Sequence, residues 1–285
     1  MTTDPTAPVH DPVQDPGALY AGLDAAAVKA CCAAGYSYDL VALLLGSSYH
    51  PGGLQLTRRL LDRLDLVPGR RLVDVAAGVG TTALLAAREH GVHVDGVDLS
   101  EANVALATGA AASAGLADQV VFHHADAEAV PLPDGCTAAV ICECALCTFP
   151  NKPTAMAEMA RLLAPGGRLG LTDVAADRAA LPTELTGLTA WIACIADARP
   201  AAEYAALAEA AGLRVTATER HTRALSRMID QIGARLELLR MTSRPRLEKL
   251  GVDFDRVVPV LGATRTAVAE GALDYVLLVA EKPCA

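Results

Sequence analysis

The segment Val73-Asp74-Val75-Ala76-Ala77-Gly78-Val79-Gly80-Thr81 reads as a buried strand, a glycine-rich turn and the first residue of a helix. Glycines at 78 and 80 lack the Cβ that would keep a ligand away from the backbone. The alternation of strand and helix extends outward from there. Pro68-Gly69 precedes a strand over 71–76, and the alanine-rich stretch 81–88 predicts a helix that Gly91 closes. Residues 92–97 predict a second strand, 101–114 a second helix and 120–124 a third strand leading to Asp126. A strand over 138–143, a helix over 154–163, the turn Pro165-Gly166-Gly167 and a strand over 168–173 follow. Strands in regular alternation with helices imply a doubly wound parallel sheet, whose right-handed crossovers place ligands at the carboxyl ends of the strands. Helices over 183–196 and 201–211, a strand near 213–221, two further helices and a closing strand over 272–281 bring the expected, mostly parallel sheet to seven strands.

Upstream, residues 19–66 carry apolar residues at helical spacing and form an N-terminal helical cap. Residues 1–18, rich in Pro and Asp, read as a disordered tail. Residues 67–285 then form one α/β domain with helical C-terminal insertions, the helices after 180 covering the substrate. The length of 285 residues fits one large or two small domains, and no repeat or polar linker marks a boundary. Lys and Arg number 24 against 33 Asp and Glu, a net charge of −9, and no basic run is present. That balance, with ten aromatic residues in all, argues against a nucleic-acid partner and an anionic membrane surface, and for a small molecule. The tail has no secretory apolar region and no apolar run approaches roughly 18 residues, so a cytoplasmic protein without a membrane span is expected. Its eight cysteines would then stay reduced, available for metal chemistry, catalysis or packing.

Two more strand ends carry acids. Asp98, in Val97-Asp98-Leu99-Ser100, can accept both hydroxyls of a ribose or cap the helix that follows, and Asp126-Ala127 ends the third strand. With Asp74 opening the glycine loop and Pro165-Gly166-Gly167 before the fifth strand, these features resemble the class I S-adenosylmethionine (SAM) dependent methyltransferases over about residues 66–222. The resemblance implies that Gly78 and Gly80 pass under the methionine part of SAM, that Asp98 binds ribose and that Asp126 meets the adenine amine. It also implies that Asp74, Ala76, Thr81, Leu99 and Ala127 line the cofactor site. Ala76 stands where the family has its first glycine, and an alanine implies a negative φ there. An NAD dehydrogenase competes for such a loop, but the third glycine of the G-x-G-x-x-G fingerprint is absent.

The fourth strand ends Ile141-Cys142-Glu143-Cys144-Ala145-Leu146-Cys147. Side chains two apart share a strand face, so Cys142 and Cys144 are expected to align, with Cys147 just beyond and Glu143 turned to the opposite face towards cofactor or water. Cys194, after the fifth strand, and Cys31 or Cys32 in the cap could converge with them over one site. The alternative is that these thiols are small core residues. The arrangement resembles the arsenite methyltransferases, whose likeness implies Cys144, Cys194 and Cys32 (or Cys31) as thiolates on a trivalent arsenic substrate, with a thiol reductant to restore them. A zinc site is disfavoured because only Cys144-x-x-Cys147 has motif spacing.

Ser47-Ser48-Tyr49-His50-Pro51-Gly52-Gly53 offers Tyr49 and His50 at a break before the sheet, either as a plain turn or with His50 as base for a proton-bearing organic acceptor. His123 and His124, adjacent on a strand, face opposite ways and suit the surface or the cofactor edge, while Asp173 suits a helix N-terminus. The arginines between 220 and 246, interleaved with Asp230, Glu237 and Glu248, read as a solvated helix face. An apolar stripe from Leu225 to Leu236 packs on the cap or on a second subunit, which leaves the oligomeric state open. Three readings follow: methyl transfer to thiol-bound arsenic, methyl transfer to a small organic metabolite, and a non-catalytic soft-metal binding module.

Overall fold

The computed structural model describes residues 50–185, 195, 197–249 and 254–284, with backbone alone at 245–249 and 254–256. Its centre is one seven-stranded sheet of order β3-β2-β1-β4-β5-β7-β6. The strands are β1 (Arg71–Val75), β2 (His93–Asp98), β3 (Val120–His124), β4 (Thr137–Glu143), β5 (Leu163–Ala176), β6 (Arg214–Arg220) and β7 (Leu273–Glu281). β1 to β5 pair in parallel, while β7 runs antiparallel between β5 and β6. The doubly wound, mostly parallel sheet is therefore the fold observed. The order turns back at β1 and β4, and the crevice above their carboxyl ends is where such a sheet takes ligands.

Helices α1 (Gly53–Leu61), α2 (Thr81–His90) and α3 (Glu101–Ser113) cover one face together with α6 (Thr222–Lys249) and α7 (Phe254–Ala269). Helices α4 (Lys152–Leu162) and α5 (Ala201–Ala210) cover the other. The sheet's period-two alternation feeds both layers: Leu72, Ala139 and Ile141 point to the first, Val73, Val140 and Cys142 to the second. Leu60 and Leu61 of α1 are fully buried, each contributing roughly 1.5–3 kcal/mol of burial. α1 can lie this close because Gly170 of β5 has no side chain; a Cβ there would come 2.9 Å from Leu60 Cδ1.

Two boundaries differ from expectation. β5 begins at Leu163, directly after α4, and carries the Pro-Gly-Gly turn within its span, because Thr137 pairs with Leu163 before a register shift restores Ala139 opposite Arg168. Of the helix expected over 183–196, the described part is a 3₁₀ turn at Thr183–Leu185. The tail, the cap before residue 50 and residues 31, 32, 49 and 194 lie outside the described residues. Among the described residues no helix is long and apolar enough to cross a membrane.

Candidate active site

The glycine loop is held from beneath and from the side. Ala77 N–H donates to Val97 O at 3.0 Å, and Gly78 N–H donates to Asp98 Oδ2 at 2.8 Å. The other oxygen of Asp98 accepts from Ser100 N–H at 2.8 Å and Asn103 Nδ2 at 3.2 Å, so one carboxylate joins the loop to the start of α3. Ser100, rather than Asp98, is the N-cap of α3 and accepts from Asn103 N–H. Ala76 has φ +60°, which corrects the expectation of a negative φ: the left-handed turn is kept although the glycine is not.

Asp74 lies below this loop rather than on its open side. Its carboxyl takes the Ala83 N–H in the first turn of α2, whose N-cap, Gly80, has no side chain to offer. Burial pushes the Asp74 carboxyl well above the usual carboxylate range, with Glu143 and Asp98 adding repulsion. Its Oδ2 is buried with no hydrogen-bond partner among the described residues.

A cavity of about 170 Å³ opens above the loop, and Ala76, Gly78, Asp98, Leu99, Asp126, Ala127, Glu143, Cys144 and His50 all line it. Gly80 and Thr81 do not. Gly80 is required instead by packing, since a Cβ there would meet Phe122 Cζ at 2.6 Å, and Thr81 is exposed at the start of α2. Asp126 Oδ1 accepts from Glu128 N–H, which shapes the turn beyond β3. His123 bonds to Asp95, and His124 donates from Nε2 to Leu99 O, bracing that wall.

On the opposite wall, Glu143 is only 6% exposed and accepts from Thr82 Oγ1 at 2.7 Å and from Thr57 Oγ1 at 3.2 Å. His50 Nε2 lies 3.3 Å from Thr57 Oγ1 and 3.9 Å from Glu143 Oε2. His50 Nδ1 faces Pro51 O at 3.2 Å, and because a carbonyl can only accept, Nδ1 carries the proton. Thr57 and Thr82 were missed in the sequence because each is one hydroxyl on a helix, far in sequence from the glutamate it holds.

The cysteine alignment is not what strand periodicity predicts. β4 ends at Glu143, and Cys144 turns left-handed with φ +53°, which breaks the alternation. Cys142 is wholly buried in the layer of α4 and α5, where burial and then Asp173 and Asp74 push its thiol well up, away from the thiolate. Cys147 is buried in the other layer, and of the three only Cys144 reaches the cavity. Among the described residues no three or more His, Cys, Asp or Glu groups could hold a metal ion. Asp173 accepts Cys147 N–H at 2.9 Å, so it fixes the 3₁₀ turn Leu146–Thr148. Lys152, 4% exposed, clamps the same loop by donating to Cys147 O, Phe149 O and Asp197 Oδ2.

A second, larger cavity of about 1060 Å³ lies between α1 and the first turns of α6, and His50 lines both. Arg58 and Arg59 from α1, Arg63 just beyond it, and Arg220, Arg223, Arg227 and Arg235 from β6 and α6 line it. Arg58 pairs with Glu89, Arg59 and Arg63 share Glu219, and Arg220 pairs with Asp274. On α6, Arg223 and Arg227 are exposed, Glu237 pairs with Arg240 on the same helix and Asp230 with Arg265, so neither of these two acids pairs with Arg223 or Arg227.

A doubly wound sheet with a glycine loop at β1 and acids closing β2 and β3 defines a nucleoside-cofactor enzyme. Residues 73–171 match the model of a methyltransferase domain. The chain is 31% identical over 245 residues to the methyltransferase GfsG of Streptomyces halstedii, covering 81% of each chain. It is 30% identical over 266 residues to the 27-O-demethylrifamycin SV methyltransferase of Amycolatopsis mediterranei, covering 86% of this chain and 93% of that one. Among solved structures it resembles the [4+2]-cyclase SpnF, with a TM-score of 0.66 and 26% identity over 88% of this chain and 96% of that one. The chain belongs to the class I SAM-dependent methyltransferases, and its cofactor is SAM, the ligand with which methyltransferases of this fold are crystallised.

Proposed function

We propose that this enzyme methylates a hydroxyl of a small organic metabolite. The observation that carries the reading is that one cavity joins the Gly78 and Asp98 wall to His50 and Glu143, which Thr57 holds together from behind. The 27-O-demethylrifamycin SV methyltransferase, by its name, acts at an oxygen, which agrees with a base in this position. SAM supplies an electrophilic methyl group on a cationic sulfur.

The residues present suit that cofactor. A Cβ at Gly78 would meet no atom within 4 Å, so the loop leaves room for a ligand beside its backbone. Asp98 and Asp126 line the wall where a ribose and an adenine amine would sit, and Leu99, Ala127 and Ala76 supply apolar surface there. The Glu143 carboxylate on the cavity wall gives the region the negative potential a sulfonium needs.

The acceptor hydroxyl gives its proton to His50 Nε2, the ring nitrogen that Nδ1's hold on Pro51 O leaves as the acceptor. Glu143, 3.9 Å away, stabilises the imidazolium that results, and Thr57 bridges the two. Phe149 and Pro150 close the cavity wall and keep water from the reacting atoms.

The arsenic reading lacks this support. Cys142 and Cys144 face opposite layers, and the relatives carry names of organic-metabolite enzymes. The test is formation of S-adenosylhomocysteine from SAM with a panel of hydroxylated polyketides and phenols, and with As(III) as a separate arm. An O-methylated product is expected, and His50→Gln should lower kcat by roughly 10²-fold or more while SAM affinity holds. Turnover with As(III) alone would overturn the proposal.

A further inference from the structure

The arginine-lined cavity is not needed to hold SAM, yet it meets the methyl-transfer cavity at His50. On α6, Arg223, Arg227, Gln231 and Arg235 recur every four residues, so they form one stripe, and all four line that cavity. Like charges at this spacing repel, and among the described residues neither Arg223 nor Arg227 has an ion-pair partner. Among the described residues the only acid on the lining itself is Asp62. A concave surface of this charge, in a chain of net charge −9, is opposite in sign to the molecule around it and concentrates anions locally.

We infer that the methyl acceptor carries a carboxylate or phosphate group, seated on the α6 arginine stripe, while its hydroxyl reaches His50. The inference rests on the methyltransfer reading above and gives that site its substrate class. Guanidinium groups offer paired N–H donors in a plane, the geometry that matches two oxygens of a carboxylate or phosphate. The arginines opposite, Arg58, Arg59 and Arg63, are already held by Glu89 and Glu219, which leaves Arg223 and Arg227 as the groups with charge to give.

The experiment is calorimetric titration of the full chain with inorganic phosphate and, separately, with phthalate, each with S-adenosylhomocysteine present. Wild type should bind at least one of the two with a stoichiometry near one, and the tighter of them identifies the group. In Arg223→Ala/Arg227→Ala that binding should weaken by roughly tenfold or more. Arg223→Lys/Arg227→Lys, which keeps the charge and loses the planar fork, should fall between. Arg240→Ala, on the same helix but bonded to Glu237, should match wild type. Absence of binding by wild type, or equal binding by wild type and the alanine double variant, would overturn the inference. SAM affinity, measured in parallel, answers the other question: a wild-type chain that binds the anion but not SAM refutes the methyltransfer reading and leaves the anion site standing.

Discussion

Ala76 adopts φ +60° at a position where L-residues bear strain of roughly 1–2 kcal/mol. Glycine would relieve that strain at a cost of roughly 0.5–1 kcal/mol in lost chain entropy. Ala76→Gly should therefore raise the free energy of unfolding by about 0.5–1 kcal/mol, read from the urea midpoint at an unchanged slope. An unchanged or lower midpoint would show that the alanine methyl packs usefully against the cavity. The strand ends that bring Gly78, Asp98 and Asp126 to one cavity were readable from the sequence, because each follows a strand of the regular alternation. Cys144 was not, since period-two reasoning assumes that a strand continues, and β4 stops one residue earlier. Gly80 has a further reason to be glycine that the loop pattern does not show: its neighbour is Phe122, two crossovers away in the chain.

At the scale of the element, α1 matters more than its nine residues suggest. It carries Thr57, begins three residues after His50, and rests on Gly170 through Leu60, with Leu64 just beyond its end beside it. Gly170→Val should lift it, costing about 1–3 kcal/mol of stability by overpacking. Because Thr57 and His50 move with it while the β1 loop does not, kcat should fall several-fold with SAM affinity little changed. Steady-state kinetics alongside SAM titration checks this, and a loss confined to SAM affinity would contradict it. The helix was legible in the apolar spacing after Pro51-Gly52-Gly53, but its seat on β5 joins residues more than a hundred positions apart. The arginine stripe of α6 had the same limit: the arginines and the acids between them were visible, whereas the pairing of Asp230 with Arg265 and of Glu237 with Arg240 was not.

At the scale of the whole molecule, the seven-stranded sheet follows from alternation that runs the length of the chain, which is why the architecture was the most readable feature. Its pH response depends on a group sealed at its centre. Asp74 is protonated in the folded state over a range where the unfolded chain has released that proton, so the folded state binds more protons there. Stability from this group is full at pH values below the ordinary carboxylate range and declines as pH rises towards the folded value. Asp74→Asn keeps an acceptor for Ala83 N–H and removes the titration. The Tm of the variant relative to wild type should then be higher at pH 8 than at pH 4, and a pH-independent difference would show that Asp74 does not titrate as its burial implies.

Asp98 grips Gly78 N–H on one side and Ser100 and Asn103 on the other. The loop is thus fastened before any ligand arrives. Cofactor binding becomes the docking of a guest on a finished floor, with little chain entropy left to lose. On the proposed reading, a ribose at the same carboxylate would share it with the loop, so the grip that prepares the site would also limit how tightly the spent cofactor is held.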